Sequence, residues 1–268
     1  MKNSPVQAAR GRQNAADRPQ DAGLGPNRQN GRIYMYSDAF CKVYNEFGWN
    51  YFPETFGPQL LKWIEQNHLT VRTSLDLACG TGILCQILHE NGIKASGMDF
   101  SEGMIAIAKE RSPEIHYEIA DMIKYRPEQK FDLVTCTGDA LNHIIDLKDV
   151  EQIFKNVYGY LNEGGHFIFD ILNENTVSPE EGIDLDFSDE VKAEFSVSQN
   201  EQGIVNLKTK VFENGEFQFE ENIAETVHDP EVICELLRRN GFRVLRCSDR
   251  LMDDGEKHGT TWFIIAGK

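Results

Sequence analysis

Between residues 73 and 172, short apolar segments alternate with segments of helical spacing, and this alternation limits the possible folds more than any other feature. The strand-like segments are residues 73–79, 93–100, 114–120, 131–137 and 166–172. The helix-like segments between them are residues 83–90, 102–111 and 147–161. Strands separated by helices of this length are joined by crossover connections, which make neighbouring strands parallel. The pattern therefore predicts a doubly wound α/β sheet.

The alternation stops at Asn173, and a different pattern follows. Residues 191–197, 204–211 and 216–223 resemble three strands, and Asn214-Gly215 between the last two is a strong hairpin signal. We expect an antiparallel β-meander inserted at residues 173–227. The α/β pattern then resumes with a helix from Pro230 to Gly241 and strands at residues 242–247 and 260–266.

Charge is distributed unevenly along the 268 residues, whose formal net charge is -16. Residues 1–33 hold six basic and two acidic residues and almost no large apolar ones, so we expect a disordered basic leader followed by a single domain at residues 34–268. The leader is either a targeting or nucleic-acid-binding tail or an extension ahead of a start at Met35, and its composition favours the second. Residues 171–225 hold 14 acidic residues and three lysines. The acid excess argues against a nucleic-acid partner and against an anionic membrane surface.

Cysteine and histidine positions give little sign of a metal or disulfide framework. The six cysteines include no Cys-x-x-Cys pair, and several lie within apolar runs, so they are expected to be small buried residues of a reducing compartment. The seven histidines lack metal-ligand spacing. Without a signal peptide or a long apolar run, the expected location is the cytoplasm.

A glycine-rich run carries the strongest chemical signal. Residues 75–82 read Leu-Asp-Leu-Ala-Cys-Gly-Thr-Gly, which places an acid near the tip of a strand and a Gly-x-Gly turn before a helix. Glycines allow positive φ and a close approach of ligand to backbone. Asp99, at the end of the second strand, can accept hydrogen bonds from both hydroxyls of a ribose. The third position of a dinucleotide fingerprint is Cys85 rather than glycine, which weakens a nicotinamide interpretation.

Taken together, five motifs resemble those of class I S-adenosylmethionine-dependent methyltransferases of the small-molecule type, similar to amino-sugar and glycine N-methyltransferases. They are residues 75–82, residues 97–104 (Gly-Met-Asp-Phe-Ser-Glu-Gly-Met), residues 120–122 (Ala-Asp-Met), residues 131–134 (Phe-Asp-Leu-Val) and residues 161–165 (Leu-Asn-Glu-Gly-Gly). The resemblance covers about residues 70–172, in the family's order. It implies a seven-stranded Rossmann-like sheet with an antiparallel last strand, and S-adenosyl-L-methionine as cofactor.

The resemblance also implies which residues contact the cofactor. They are Asp76, Ala78, Gly80, Gly82, Met98, Asp99, Phe100, Asp121, Met122, Thr137, Tyr36 and Tyr44. Gly80 and Gly82 would line the methionine and ribose, Asp76 the ammonium group, and Asp99 the ribose hydroxyls. Met98, Phe100, Asp121 and Met122 would surround the adenine. Two alternatives stay open: Asp121 as a helix N-cap and Met98 as an ordinary core residue.

The segment after the fourth strand is where the family places acceptor-side groups. We expect His143 and Asp139 as catalytic residues there, with His143 a general base, because an unperturbed imidazole titrates near neutrality. We expect Asn142, Trp49 and Tyr51 to contact the substrate. The alternatives are that Asn142 and His143 cap a turn, that His143 is an ordinary surface residue, and that methyl transfer needs no base. Residues 34–69 are interpreted as an aromatic lid, with ordinary packing of an N-terminal helix as the alternative.

These observations predict an S-adenosylmethionine-dependent methyltransferase that acts on a nitrogen or oxygen nucleophile of a small molecule. The acidic meander is interpreted as a substrate cap that favours a cationic or amine-bearing acceptor, with a solvated acidic surface as the alternative. Three other functions stay open: a cofactor-binding protein of this fold without transfer activity, methylation of a protein side chain, and a nicotinamide-dependent oxidoreductase.

Overall fold

A computed structural model describes residues 28–29, 32–33, 36–173, 175, 183–186, 191–201, 203–252 and 259–268. The chain divides into two compact units, Met1–Tyr51 with Val177–Glu225, and Phe52–Thr176 with Thr226–Lys268. We call them the meander unit and the sheet unit. Most of the predicted disordered leader lies outside the described residues.

The helices and strands are numbered in chain order. The helices are α1 Asp38–Val43, α2 Tyr51–Gln66, α3 Ile83–Glu90, α4 Glu102–Arg111, α5 Leu147–Tyr160 and α6 Pro230–Arg239, with a 3₁₀ helix at Ala140–His143. The strands are β1 Arg28–Gln29, β2 Arg32–Ile33, β3 Thr73–Leu77, β4 Lys94–Asp99, β5 His116–Ile119, β6 Phe131–Cys136, β7 Leu161–Leu172, β8 Ile183–Asp186, β9 Val191–Gln199, β10 Ile204–Glu213, β11 Glu216–Thr226, β12 Arg243–Ser248 and β13 Thr261–Gly267. No helix within this described part combines the length and apolar character that crossing a membrane requires.

The sheet unit is built on seven strands in the order β12-β13-β7-β6-β3-β4-β5. Strands β3 to β7 pair in parallel, whereas β13 runs antiparallel to both β7 and β12. This confirms the predicted seven-stranded sheet with an antiparallel last strand. The carboxyl ends of β3, β4, β6 and β7 meet at one edge, where open α/β sheets bind ligands. We call it the carboxyl edge.

Helices cover both faces of this sheet, as doubly wound topology requires. On one face α5 and α6 bury Ile153 and Leu237 in a core cluster that includes Leu75 and Leu77 of β3. On the other face the cluster is formed by α2, α3 and α4 with Ile168 of β7. The central strands are therefore buried on both sides, which explains their nearly continuous apolar sequences.

The apolar spacing of residues 57–66 predicts a helix with Pro58 in its first turn. Helix α2 begins earlier, at Tyr51, so this predicted start is wrong. Pro58 lies inside the helix, where the missing N–H removes a backbone hydrogen bond. Aromatic packing offsets this cost: Phe52 and Phe56 stack with ring centroids 5.6 Å apart, and both stack on Phe263 of β13.

The acid of the fourth-strand motif has a structural role at the amino end of the sheet. Asp132 accepts hydrogen bonds from the Arg72 and Thr73 amides at 2.9 and 3.1 Å and from the Asn162 side chain at 2.8 Å. Burial acts to raise the pKa of Asp132, but these hydrogen bonds outweigh it and hold the pKa below its usual value. Asp132 thus fastens the start of β3 to β6.

The meander unit contains an antiparallel sheet in the order β11-β10-β9-β8. Three strands were expected here, and β8 is a fourth. Its sequence Ile-Asp-Leu-Asp has low strand propensity, but its backbone pairs with β9 from Ile183 opposite Phe195 to Asp186 opposite Lys192. The hairpin predicted at Asn214-Gly215 joins β10 to β11, and Asn214 has a φ of 53°.

Candidate active site

The glycine-rich turn leads from β3 into α3 with three residues at positive φ. Ala78, Gly80 and Gly82 have φ angles of 55°, 54° and 79°. Positive φ is costly for alanine, so surrounding structure must impose this conformation at Ala78. Gly82 is the N-cap of α3 and supplies no side-chain cap. The first-turn N–H groups of α3 therefore begin directly at this turn, an arrangement suited to polar or anionic ligand groups.

Groups from three other elements hold the turn in place. The Gly80 amide donates to Asp99 Oδ2 at 2.9 Å, Arg111 Nε donates to the Thr81 carbonyl at 3.1 Å, and Tyr117 Oη donates to the Gly82 carbonyl at 3.4 Å. The turn is therefore anchored to the ends of β4, α4 and β5.

The two glycines of the Gly-x-Gly turn have different surroundings. A Cβ added at Gly82 would lie 2.6 Å from Tyr117 Oη and 2.9 Å from Ala108 Cβ. A Cβ added at Gly80 would meet no atom of the described residues within 4 Å. Gly82 is therefore required for packing inside the protein, whereas Gly80 leaves its backbone accessible.

Asp99 lies at the carboxyl end of β4 with only 6% of its surface exposed. Its Oδ1 accepts a hydrogen bond from the Ser101 amide at 2.8 Å, and its Oδ2 accepts the one from Gly80. Burial raises the pKa of Asp99, and the Ser101 and Gly80 hydrogen bonds and the charge of His143 act against that rise. Each carboxylate oxygen has a second acceptor position, so Asp99 retains capacity for two donors from a ligand.

Asp76 is a second buried carboxyl group, located on β3. Thr135 Oγ1 donates to its Oδ1 at 2.6 Å. Burial raises the pKa of Asp76 to about 7; the Thr135 hydrogen bond lowers it, and the charges of Asp99 and Asp170 raise it further. A carboxyl group in such surroundings would be stabilised as the anion by a cationic ligand group.

Asp170 on β7 is a third such carboxyl group, and sequence reasoning missed it. It accepts hydrogen bonds from the Gly138 and Asp139 amides at 2.8 and 3.0 Å, and burial raises its pKa to about 6. Both donor residues have positive φ, 74° and 56°. Asp170 therefore fixes the segment that follows β6. A usable signal was present, because Asp170 stands near the carboxyl end of an apolar run just as Asp76 does.

The expected acceptor-side residues follow β6 in one short segment. Thr137 is half-buried directly after β6, and Asp139 precedes the 3₁₀ helix that carries Asn142 and His143. His143 Nε2 lies 3.8 Å from Asp139 Oδ1, and 6% of the His143 side chain is exposed. His228, which sequence reasoning also missed, is buried with its Nε2 3.0 Å from the Ile144 carbonyl oxygen. The two predicted catalytic side chains, His143 and Asp139, thus lie close to each other.

Asn142 is fully buried and bonded at both ends. Its Nδ2 donates to the Thr226 carbonyl at 2.6 Å, and its Oδ1 accepts from the Leu172 amide at 3.0 Å. These bonds fasten the 3₁₀ helix to the end of β7 and to Thr226, which both belong to the sheet unit. They give Asn142 a structural role in the protein, and its contact with a substrate stays a prediction.

The predicted adenine-binding residues differ in exposure. Met98 and Met122 are buried in the core cluster of the sheet unit, and Phe100 is half-buried. Asp121 is half-buried, accepts from the Ile123 amide at 3.0 Å and pairs with Lys124 at 3.0 Å. The local bond of Asp121 closes a turn, and no helix begins there among the described residues, so the helix N-cap alternative is wrong. Each carboxylate oxygen of Asp121 has a further lone pair that these contacts do not use. Contact of Met98, Phe100, Asp121 and Met122 with adenine therefore stays a prediction.

The predicted aromatic contacts belong to the meander unit, and Tyr51 is the last residue of its first segment, where α2 begins. Tyr44 stacks on Trp49 at 5.4 Å, and Tyr36 lies 5.8 Å from Tyr44. Trp49 also packs on Phe195 of β9 at 6.0 Å. These rings form a mutually packed cluster, and cofactor or substrate contact by Tyr36, Tyr44, Trp49 and Tyr51 stays a prediction.

Because the pKa of Asp76 is raised, the difference in unfolding free energy between the wild type and the Asp76→Asn variant is expected to change with pH. The folded state binds more protons than the unfolded state between the usual carboxyl pKa and about 7, so wild-type stability falls relative to the variant as pH rises through this window. We expect Asp76→Asn, without ligand, to gain on the order of 2 kcal/mol relative to wild type between about pH 5 and about pH 8. Urea unfolding at each pH measures this difference. A constant difference would contradict the burial argument.

Comparison with known proteins agrees with this geometry. A family model described as "Methyltransferase domain" matches residues 75–165. A ubiquinone biosynthesis O-methyltransferase of Coxiella burnetii (strain Dugway 5J108-111) is 30% identical over 161 residues, 57% of this chain and 67% of that protein. An S-adenosylmethionine-dependent methyltransferase from Clostridium acetobutylicum ATCC 824 has a TM-score of 0.73 at 25% identity, covering 80% of this chain and 91% of that one.

A solved structure with the cofactor bound also has a similar fold. CalS10, an amino pentose methyltransferase from Micromonospora echinaspora solved with S-adenosylmethionine, has a TM-score of 0.68 at 15% identity, covering 88% of this chain and 99% of that one. The chain belongs to the class I S-adenosylmethionine-dependent methyltransferase family. It is an enzyme of that family, with S-adenosyl-L-methionine as its cofactor.

Proposed function

We propose that this methyltransferase transfers a methyl group to a nitrogen or oxygen nucleophile of a small molecule, using the carboxyl edge of the sheet unit as its cofactor site. The observation that carries the proposal is the pairing of an accessible Gly80 backbone with a buried Asp99 carboxylate that retains acceptor positions. The names of the relatives support a small-molecule acceptor, since one acts in ubiquinone biosynthesis and one on an amino pentose.

The residues at this edge fit the cofactor group by group. Asp99 has free acceptor positions for two ribose hydroxyls, and the buried Asp76 carboxyl suits a cationic ammonium group. The turn at Gly80 allows close approach of the chain that joins them. Phe100, Asp121 and Met122 are the proposed adenine side of the site, with Ala78, Gly82 and Met98 supporting the turn and the strand. When bound, the cofactor supplies an electrophilic methyl group on a sulfonium centre.

The chain's own residues then have to orient the acceptor and exclude water. Asp170 holds the segment beginning at Thr137 and Gly138 by two charge-assisted hydrogen bonds, and Asn142 and His228 fasten its far end. Orientation of this kind contributes much of the rate when the leaving group is already activated. We assign His143, with Asp139 beside it, as the group that accepts the proton released by the acceptor nitrogen or oxygen.

A labelled-transfer experiment tests this function. Wild-type protein is incubated with S-adenosyl-L-methionine carrying an isotopic methyl label, in parallel with amine-bearing metabolites, hydroxyl-bearing metabolites and a protein extract. The expected result is label in a small molecule, with one S-adenosylhomocysteine formed per methyl transferred. Label found only in protein would overturn the small-molecule assignment. Cofactor binding without S-adenosylhomocysteine formation in any mixture would indicate a binding protein instead.

A further inference from the structure

Three buried carboxyl groups lie at the carboxyl edge, on strands β3, β4 and β7. Asp76, Asp99 and Asp170 have only 3%, 6% and 2% of their surface exposed. A carboxylate that is taken out of water needs hydrogen bonds or positive charge in exchange. The charges that act on Asp76 come from Asp99 and Asp170, which are themselves acidic. Ionising all three groups together therefore carries a large electrostatic cost.

The strand register places the three groups on the same face of the sheet. Asp76 lies opposite Gly97 of β4, two residues before Asp99. It also lies opposite Thr135 of β6, which pairs with β7 two residues before Asp170. Paired residues of neighbouring strands point to the same face, and so do residues two apart within one strand. The carboxyl groups are therefore a cluster, with Asp76 on the strand between the other two.

Hydrogen bonds distinguish the members of this cluster. Asp99 and Asp170 each accept bonds from two backbone amides, which stabilise the ionised form. Among the described residues, Asp76 accepts one bond, from Thr135 Oγ1 at 2.6 Å. The proton that the cluster retains is therefore held by Asp76. The pKa values agree, because burial raises the pKa of Asp76 to about 7 and that of Asp170 to about 6.

The other titratable groups that interact electrostatically with Asp76 stay neutral near pH 7. They are Cys79, Cys85, Cys136 and Tyr117, and the pKa of each lies above its usual value. Burial is the main cause of the raised pKa for Cys79, Cys136 and Tyr117. From the 3₁₀ helix, the charge of His143 acts on Asp99. Asp76 is therefore the group of this edge that exchanges a proton near neutral pH.

We infer that Asp76 gives up its proton when the ammonium group of S-adenosyl-L-methionine binds, so that cofactor binding releases a proton and weakens as the pH falls below 7. The inference rests on the proposed function, in which the Asp76 carboxyl receives that ammonium group. The proton passes from the carboxyl group to solvent, and an ion pair takes its place. One positive charge replaces another, so the buried cluster gains no uncompensated negative charge.

Calorimetric titration of the wild-type protein at about pH 6 tests the inference. The titration is run in two buffers of different ionisation enthalpy, and the difference in observed heat gives the number of protons released. At this pH the amino group of the cofactor is already protonated and Asp76 still holds its proton, so we expect release of about one proton per cofactor bound. The Kd should be about fivefold higher at pH 6 than at pH 7.

A ligand control and a variant control isolate Asp76. 5′-Methylthioadenosine has the adenosine part but neither the ammonium nor the carboxylate group, so it should bind without proton release. Asp76→Asn keeps the shape and the acceptor for Thr135 but has no proton to give up. We expect it to release no proton and to bind the cofactor with a similar Kd at pH 6 and pH 7.

The outcomes separate this inference from the proposed function. Saturable binding of S-adenosyl-L-methionine to the wild type without proton release would overturn the inference and leave the proposed function intact. Equal proton release from the wild type and Asp76→Asn would also overturn it, by assigning the proton to another group. An absence of any binding would contradict both. The wild-type titrations decide the question even if the variant fails to fold.

Discussion

Replacing Asp99 with alanine is expected to weaken binding of S-adenosyl-L-methionine by about a hundredfold, the largest effect of any single substitution at the carboxyl edge. Asp99 is buried and accepts one internal hydrogen bond on each carboxylate oxygen, which leaves one acceptor position on each for the ribose hydroxyls. Its loss removes those two acceptors and also releases the Gly80 amide that the carboxylate holds. Isothermal titration calorimetry on the wild-type and Asp99→Ala proteins measures the change in Kd.

Asp132→Ala is the matched control for this experiment. Asp132 also accepts backbone N–H bonds on the same sheet, but it does so at the amino end of β3. We expect Asp132→Ala to lower the unfolding temperature and to leave the Kd of the folded protein nearly unchanged. An unchanged Kd in Asp99→Ala, or equal losses in both variants, would contradict the assignment of Asp99.

Gly80→Ala is expected mainly to weaken cofactor binding, whereas Gly82→Ala is expected mainly to lower the stability of the fold. A Cβ at Gly80 meets no described protein atom within 4 Å, so Gly80→Ala should fold with only the cost of alanine at positive φ, about 1–2 kcal/mol. That methyl group would point into the space that we assign to the cofactor, so the Kd should rise by at least about tenfold. Calorimetric titration and thermal melting of the same sample separate the two quantities.

The main effect expected of Gly82→Ala is a loss of folding stability. Its Cβ would lie 2.6 Å from Tyr117 Oη at a φ of 79°, and the combined strain and clash should cost roughly 2–4 kcal/mol. Tyr117→Phe removes the nearest clashing atom, so the double variant Gly82→Ala/Tyr117→Phe should regain part of that loss. If Gly82→Ala melted like the wild type while Gly80→Ala was unstable, the assignment of the two glycines would be reversed.

Local signals were enough to predict the helices that carry their own caps. The predicted bounds of α4 and the body of α6 agree with the structure. In α4 the Ser101 side chain accepts from the Met104 amide at 3.3 Å, and in α6 the Asp229 side chain accepts from the Glu231 amide at 2.8 Å. Such caps are encoded within a few residues, so the sequence alone identifies them.

Elements that depend on distant contacts were predicted less well. Helix α2 continues through Pro58 because Phe52 and Phe56 stack on Phe263, which lies about 200 residues away in the chain. Strand β8 exists through pairing with β9, which its own acidic sequence does not indicate. In both cases tertiary interactions outweigh local propensity.

In the candidate site, too, residues fixed by local spacing were predicted, whereas residues that depend on distant contacts were not. The residues of the glycine-rich turn and Asp99 could be found because their spacing is fixed by one strand-turn-helix-strand unit. Thr135 and Asp170 could not be assigned roles, because their partners Asp76 and Gly138 come from neighbouring strands or loops that only the folded sheet brings together.

Calorimetric titration of the wild-type protein with S-adenosyl-L-methionine, with NAD as the parallel ligand, tests the central claim most directly. The carboxyl edge as described predicts saturable binding of one S-adenosyl-L-methionine per chain and no binding of NAD, because Cys85 fills the helix–strand contact where the dinucleotide fingerprint has glycine. No heat of binding with S-adenosyl-L-methionine, or saturable binding of NAD in its place, would contradict the assignment of this edge as a methyl-donor site.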